Sequence, residues 1–423
     1  MHSLVAVGLL REEDYNYVMK SLKDLFRYGP GPSSSHTIAP YLASARFSSL
    51  VKEGEEVNVT FYGSLAYAFR GHHSDASVFL GLGDRPVRII LDKESVPPHP
   101  LTMEFRSGSL CHTYYSLGGG ALFSETDPEV NERDVYPFAN LAEALDLFGK
   151  SKYTSLTDFL VSFEKIDVRA YLNHILDKMF ASIENGLSKE GKIPVNDNPR
   201  LQVERSAKKI FEKAKTIETG EGKKELLLTS YAYAVVESSA CGETVVTAPT
   251  CGSSGVLPAV LYYEYKHEDV NKEKLVESLI IAGLFGNVVK QNASIAGSVG
   301  GCQAEIGTAC SMASAAVSYL NGLSLHQIEY GAEVAMEHFL GLSCDPVDGY
   351  VVIPCIERNG IGAMRAYASY LYAKYIEPLR RNQVSFDDVV KAMKLTGDSL
   401  DEKYKETAQG GLASILKKEE IEE

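Results

Sequence analysis

The sequence predicts an α+β protein of two domains: a small α/β domain with a mixed or antiparallel sheet over residues 1–150, then an all-helical domain over 151–423. Three observations lead there. Apolar residues alternate in "VNVTFY" (57–62), putting Val57, Val59 and Phe61 on one face, as in a half-buried strand. From Ser155 onward the apolar spacing becomes helical: Val168, Leu172, Ile175, Met179 and Ile183 recur every three or four residues. Between the two patterns, roughly 125–154, runs an acidic, polar stretch containing "ETDPEVNERD", which suits a linker or exposed loop.

The elements follow in order. Near the start, "SLVAVGLL" is short, has no preceding Lys or Arg, and runs into acidic "REED", so it makes a poor signal peptide. In "RYGPGPSSSHTIAP" (27–40), Pro30, Pro32 and Pro40 exclude a helix through the stretch. A helix begins at Thr37 or just after Pro40, with Tyr41, Ala45 and Phe47 on one face. "SLAYAFRG" is a helix leading into "HHSD", "VRIILD" is a strand, and "LTMEFR" turns through "SGS" into "LCHTYYSL" as a hairpin. In the second half, Ser155 with Asp158, Ser324 with Gln327 and Ser385 with Asp388 carry the capping-box spacing. Gly186 reads as a helix stop, "EKLVESLIIAGLFGNVVKQ" as a buried helix, and the terminal "KKEEIEE" as a frayed end.

Composition excludes several function classes. A net charge of −14 and a pI near 5.3 argue against binding a nucleic-acid backbone. No apolar run is long enough to span a bilayer. The chain therefore reads as cytoplasmic, with neither nucleic acid nor membrane as a partner. Seven cysteines in a large cytosolic chain do not suggest a disulfide framework. All but Cys111 fall after residue 240, which hints at a metal or cluster site in the second half.

Two kinds of loop stand out. The Ser33, Ser34, Ser35, His36, Thr37 run offers hydroxyls and N–H groups suited to a carboxylate or phosphate, though a plain capped turn would look the same. Three later loops, 247–260, 292–316 and 341–363, are rich in Gly and Ser, and each contains cysteine. Cys310 sits among small helix-packing residues. Cys302, Cys344 and Cys355 instead neighbour Gly, Asp or Pro. No C-x-x-C pair occurs, so zinc-finger spacing is absent, while separated thiolates suit iron–sulfur clusters as well as zinc.

"GPGPSSSHTIAP", "YGSLAYAFRGHHSD", "APTCGSSGVLPAV", "GSVGGCQAEIGTACSMASAA", "CDPVDGYVVIPCIERN" and "KYKETAQGGLA" occur in this order. Together they resemble the iron–sulfur-dependent L-serine dehydratases, in the single-chain form with a β domain fused before an α domain. The resemblance implies a [4Fe–4S] cluster on Cys302, Cys344 and Cys355, with Cys310 excluded and Cys251 a weak candidate. It implies elimination of water from L-serine to aminoacrylate, then pyruvate and ammonia, with an open iron assisting the leaving hydroxyl. A homodimer follows from the same resemblance.

His36 and His72 are the candidates for proton transfer. The second lies in a G-H-x-T-D motif that reads Gly71, His72, His73, Ser74, Asp75 here, so His72 and Asp75 carry over and His73 fills the variable slot. Ser33, Ser34, Ser35, Thr37, Asn292, Ser294 and Ser253 are the substrate-binding candidates, with Ser254 beside the last. Some relatives end in a cysteine thought to reach the cluster. No cysteine follows Cys355 here, so water or a small anion is the expected resting ligand. Alternatives remain: L-cysteine or L-threonine as substrate, a non-catalytic amino-acid sensor, or a pyridoxal-phosphate enzyme using Lys290, whose surroundings lack the usual context.

Overall fold

The computed structural model describes residues 17–416 apart from Ala68, Arg70, Gly71, His73, Asp197 and Arg381. The readings of "SLVAVGLL", of "KKEEIEE" and of His73 lie outside the described residues.

Strands β1 (Met19–Lys20) and β2 (Tyr28–Pro30) come first, and a π-type turn over Ser34–Ile38 then runs without a break into α1 (Ala39–Ser48). Helical structure thus enters the proline-rich stretch that was expected to exclude it. Ser33 caps the turn, accepting from the His36 N–H at 3.3 Å, and Pro40 falls in the first turn of α1, where its missing N–H needs no partner. Phe47 faces inward as expected. Tyr41 and Ala45 are only half-buried, and the inward face is Ala39, Ala43, Ser44 and Phe47.

Next come β3 (Val57–Tyr62), α2 (Gly63–Tyr67), α3 (Ser74–Leu82), β4 (Val87–Asp92), β5 (Thr102–Ser107), β6 (Leu110–Ser116) and β7 (Leu122–Phe123). The sheet order is β4-β3-β5-β6-β7, with β3 parallel to β4 and every other pair antiparallel, so the sheet is mixed. Val57, Val59 and Phe61 are fully buried while Asn58, Thr60 and Tyr62 are not, the alternation that the sequence shows. Each fully buried side chain of this kind contributes roughly 1.5–3 kcal/mol.

The stretch expected to be a linker or exposed loop is an exposed loop at Glu125, Glu129 and Arg133 but is built into the fold further on. β8 (Asp134–Tyr136) pairs antiparallel with β1, and α4 (Leu141–Lys150) is capped by Asn140. Its acidity misled because Glu132 is an interior group, bound to Arg27 and to Lys290 at 2.8 Å rather than to water.

The helical layer comprises α5 (Leu156–Val161), α6 (Val168–Leu187), α7 (Ala207–Lys215), α8 (Glu221–Ala240), strand β9 (Thr244–Val246), α9 (Val256–His267), α10 (Lys272–Asn292), α11 (Thr308–Leu320), α12 (Leu325–Glu337), α13 (Cys355–Leu371) and α14 (Phe386–Ser399). α10 is buried from Leu275 to Val289 except at Glu277, as a helix that is apolar all round must be. The capping boxes at Ser324 and Ser385 are complete, whereas Ser155 makes only the half that accepts from the Asp158 N–H. Gly186 does not stop α6. It lies within the last turn, where a Cβ would collide with the Ala234 carbonyl of α8, so its role is close helix approach.

Two large apolar cores result. One lies under the sheet and draws on Ala39 to Leu122. The other fills the helical layer and takes in Met19 to Ile38 as well as residues from Val135 onward. The chain crosses between them through β2, which pairs antiparallel with β9 from the far end of α8.

Candidate active site

Three turns of the helical layer bring Cys302, Cys344 and Cys355 together. Cys302 precedes a π-type turn over Gln303–Gly307, Cys344 follows the end of α12, and Cys355 is the first residue of α13. All three are buried, and their thiols sense one another. A hydrogen bond with Cys302, and then burial, holds the Cys344 thiol well above its usual range. Burial, and then the neighbouring Cys302, does the same to Cys355. Cys310 lies apart in α11, raised by burial alone, and Cys251 is fully buried beside Glu305. Among the described residues, no three His, Cys, Asp or Glu side chains are grouped to hold a single metal ion.

Charged groups surround the cysteines. Arg358 donates to the Ser343 carbonyl at 2.8 Å and to Asp345 at 3.0 Å. Glu305 accepts from Thr250 at 2.6 Å and lies 3.9 Å from the Cys344 sulfur. Burial raises its pKa against the opposing Thr250 hydrogen bond. Glu406 is raised to about 8 by burial and by Glu305. It sits on a segment stitched to Cys344: the Cys344 N–H donates to the Tyr404 carbonyl, and the Glu406 N–H to the Cys344 carbonyl, both at 2.8 Å. Gly297 leaves room for the carboxylate, since a Cβ there would lie 2.6 Å from Glu305 Oε2 and 3.0 Å from the Cys344 sulfur.

The serine-rich loop forms a second constellation. His36 Nδ1 meets Ser35 Oγ at 2.9 Å and Ser33 Oγ at 3.4 Å, while Nε2 meets Ser64 Oγ at 3.1 Å. The ring stacks on His72. Burial, and then His72, depresses the His36 pKa well below the usual imidazole value, so His36 is neutral near pH 7. Ser74 donates to the His36 carbonyl at 2.7 Å, tying α3 to the loop.

Other candidates are placed differently. Thr37 is fully buried, its single hydroxyl proton placed between the Pro30 and Ser33 carbonyls and its oxygen accepting from the Ser33 N–H, so its hydroxyl shapes the loop. Ser34 is buried in the same turn. Ser253 is fully buried between Thr250 and the Ala248 carbonyl, and Ser254 donates to the Cys251 carbonyl. The Asn292 amide donates to the carbonyls of Ala139 and Val288, and Ser294 accepts from the Ala296 N–H. Asp75 is exposed in the first turn of α3. Lys290 is engaged by Glu132 at 2.8 and 2.9 Å.

The two constellations are linked by Gly118, Gly119 and Gly120, each at positive φ, where glycine alone is unstrained. Cβ atoms on them would stand 3.2 Å from Ala296, 2.8 Å from Ile295 and 2.9 Å from Ile38, respectively. Ile38 is two residues from His36, and Ala296 precedes Gly297 beside Glu305. Sequence reasoning missed Ser64, Thr250, Glu305, Arg358 and Glu406. Each lies inside a motif already singled out, and a charged residue within a glycine-rich stretch was the available signal for the acids.

Comparison with known proteins identifies the family. A family model described as serine dehydratase beta chain matches residues 21–91, and one described as serine dehydratase alpha chain matches residues 66–413. L-serine dehydratase 1 of Escherichia coli (strain K12) is 35% identical over 459 aligned residues, covering 93% of this chain and 99% of its own length. L-serine dehydratase of Streptomyces coelicolor is 35% identical, covering 93% of this chain and 98% of its own. L-serine dehydratase of Helicobacter pylori (strain J99) is 34% identical, covering 94% and 99%. With both matches in one polypeptide and relatives alike over nearly their full length, this chain belongs to the serine dehydratase family.

Proposed function

We propose that this chain is an L-serine ammonia-lyase, a carbon–oxygen lyase that eliminates water from L-serine. The aminoacrylate formed tautomerises to an imine and hydrolyses to pyruvate and ammonia. The names of the relatives support the substrate. The observation that carries the reading is the convergence of Cys302, Cys344 and Cys355 beside Arg358.

These three cysteines fit a [4Fe–4S] cluster. The donor set is all sulfur, and a cluster takes each cysteine on a different iron, so the absence of a single-ion grouping does not count against it. When bound, the cluster supplies an iron without a protein ligand, a Lewis acid for the departing hydroxyl.

The chain's own residues supply the rest. His36, neutral because it is buried, accepts the α-proton at Nε2, the nitrogen turned toward Ser64. The Cα–H electrons become the Cα=Cβ bond as the Cβ–O bond breaks. Ser35 holds Nδ1, and His72 stacks beneath the ring. Asp75 completes the assigned catalytic set from the start of α3. Ser33, Ser34 and Ser35 receive the substrate carboxylate, while Thr37, Ser253, Asn292 and Ser294 support the loops that receive it. In this reading residues 1–150 present the substrate to the cluster carried by 151–423, and the enzyme is a cytoplasmic homodimer.

Anaerobic purification tests the proposal. A brown protein with about four irons per chain that forms pyruvate from L-serine, and loses that activity in air, supports it. A colourless, iron-free protein that still forms pyruvate refutes the cluster assignment. An iron-loaded protein inactive on L-serine moves the substrate to L-cysteine or L-threonine.

A further inference from the structure

We propose that Arg358 is the positioning residue of the cysteine site, locking the three sulfur-bearing turns to one another and lending the bound cluster its positive charge. The inference rests on the cluster reading above. It starts from geometry: Arg358 stands on the helix that Cys355 opens and grips the turn that carries Cys344. Arg358 lies in the first turn of α13, three residues after Cys355. Its Nη1 donates to the Ser343 carbonyl at 2.8 Å and its Nη2 to Asp345 at 3.0 Å, so it grips Cys344 from both sides. Against burial, the neighbouring Cys302 and then Cys355 hold its guanidinium protonated, which ties it electrostatically to both sulfurs. Asp345 in turn accepts from the Leu412 N–H at 2.7 Å, which extends the lock to the C-terminal segment.

The charge balance of the pocket gives this contact a second role. Cys302, Cys344 and Cys355 are thiolates when they ligate iron, and Glu305, Glu406 and Asp345 lie beside them. Arg358 is a cation whose charge acts on Cys302 and Cys355, and its side chain is only 16% exposed, so solvent screens it little. The planar fork matters as much as the charge. Five N–H donors in fixed geometry serve a carbonyl, a carboxylate and a sulfur at once, which a single ammonium does not. The next residue divides the labour: Asn359, fully buried, donates to the carbonyls of Gly252 and Cys355 and accepts from the Gly255 N–H, fixing Cys355 against the 250–255 loop.

The test compares the full chain with Arg358→Lys and Arg358→Gln after anaerobic reconstitution. Iron and sulfide content, the midpoint potential of the cluster, and the rate of iron loss to 2,2′-bipyridine are measured. Loss of the positive charge disfavours an added electron, so Arg358→Gln lowers the midpoint potential and speeds iron loss at least tenfold. Arg358→Lys keeps the midpoint close to that of the unaltered protein but still loses iron faster, because the fork is gone. A role confined to folding would not move the potential. An Arg358→Gln protein with unchanged potential and unchanged loss rate overturns the proposal. If that variant does not fold, Arg358→Lys decides, and an unchanged loss rate there overturns it. A wild-type protein that takes up no cluster defeats the function reading and this inference together. A loaded wild type insensitive to Arg358 defeats the inference alone.

Discussion

The imidazoles of His36 and His72 lie face to face, with ring centroids 4.5 Å apart and planes inclined by 20°. Two cations cannot share that stack cheaply, and both rings are buried. The His36 pKa is depressed, so its proton is lost at lower pH than from an ordinary histidine. The acid limb of kcat/KM should therefore lie below about pH 6.5, the ordinary histidine value, and His36→Ala should lower kcat by about 10²–10⁴-fold. An acid limb centred above that value would remove His36 from the base role. The stability consequence has the same origin. The unfolded chain binds the proton more readily than the folded one, so stability falls as pH drops below 6.5 toward the folded pKa. His36→Gln should flatten that part of the stability profile in urea titrations.

Gly297 offers a steric probe of the site. Gly297→Ala puts a methyl 2.6 Å from Glu305 Oε2 and 3.0 Å from the Cys344 sulfur. Backbone strain is not the cause, because Gly297 is not at positive φ. The carboxylate and the sulfur must shift, so kcat should fall at least tenfold while the melting temperature changes by only a few degrees. Full activity in this variant would mean that the glycine has no part in shaping the site.

The ion cluster between the two cores gives a third expectation. Burial opposes the charge on Glu132, but Arg27 and Lys290 outweigh it and hold its carboxyl below the usual range. Glu132→Gln leaves two cations facing one another in the interior, which should cost about 3–5 kcal/mol. Urea denaturation reads this directly. The double variant Glu132→Gln, Lys290→Met should recover part of the loss, because the pair shares one interaction.

Glu333 on α12 supplies a pH test away from the site. Burial, then Glu337 and Glu329, raises its pKa to about 8, and its Oε1 has no hydrogen-bond partner. The folded state holds this proton when the unfolded chain has released it. The stability it contributes is complete below about pH 4.5, the ordinary range for a glutamate, and is lost as pH rises toward 8. Glu333→Gln should match the unaltered protein in acid and exceed it above pH 8, by up to about 3 kcal/mol after allowance for screening.

Strands and long helices were legible because burial leaves a period, two in Val57–Tyr62 and three to four in Val168–Leu187. The stretch from 125 to 154 was legible as exposed at Glu125 and Glu129 but not at Asp127 and Glu132, because acidity signals solvent only when the acids lack partners. Arg27 and Lys290 lie about 105 and 158 residues away from Glu132 in sequence, so no local pattern reveals them. The same limit applies to the site. Cys302, Cys344 and Cys355 stood out as cysteines among Gly, Asp and Pro, but Ser64 reaches His36 only through the turn after β3. Thr37 and Ser253 looked like substrate-facing hydroxyls and turn out to bond to their own loops. Short polar side chains serve backbone and ligand equally well, and sequence does not say which.

The stitching of Tyr404–Glu406 and Leu412 onto Cys344 and Asp345 also dictates an order of events during synthesis. Residues 302, 344 and 355 leave the ribosome well before residue 412, yet the turn that carries Cys344 gains these partners only when the later segment arrives. The Cys344 turn therefore lacks these partners for the time needed to make more than fifty further residues, an interval of seconds at ordinary translation rates of about 5–20 residues per second. The closing segment acts as the fastener of a compartment whose walls are made first.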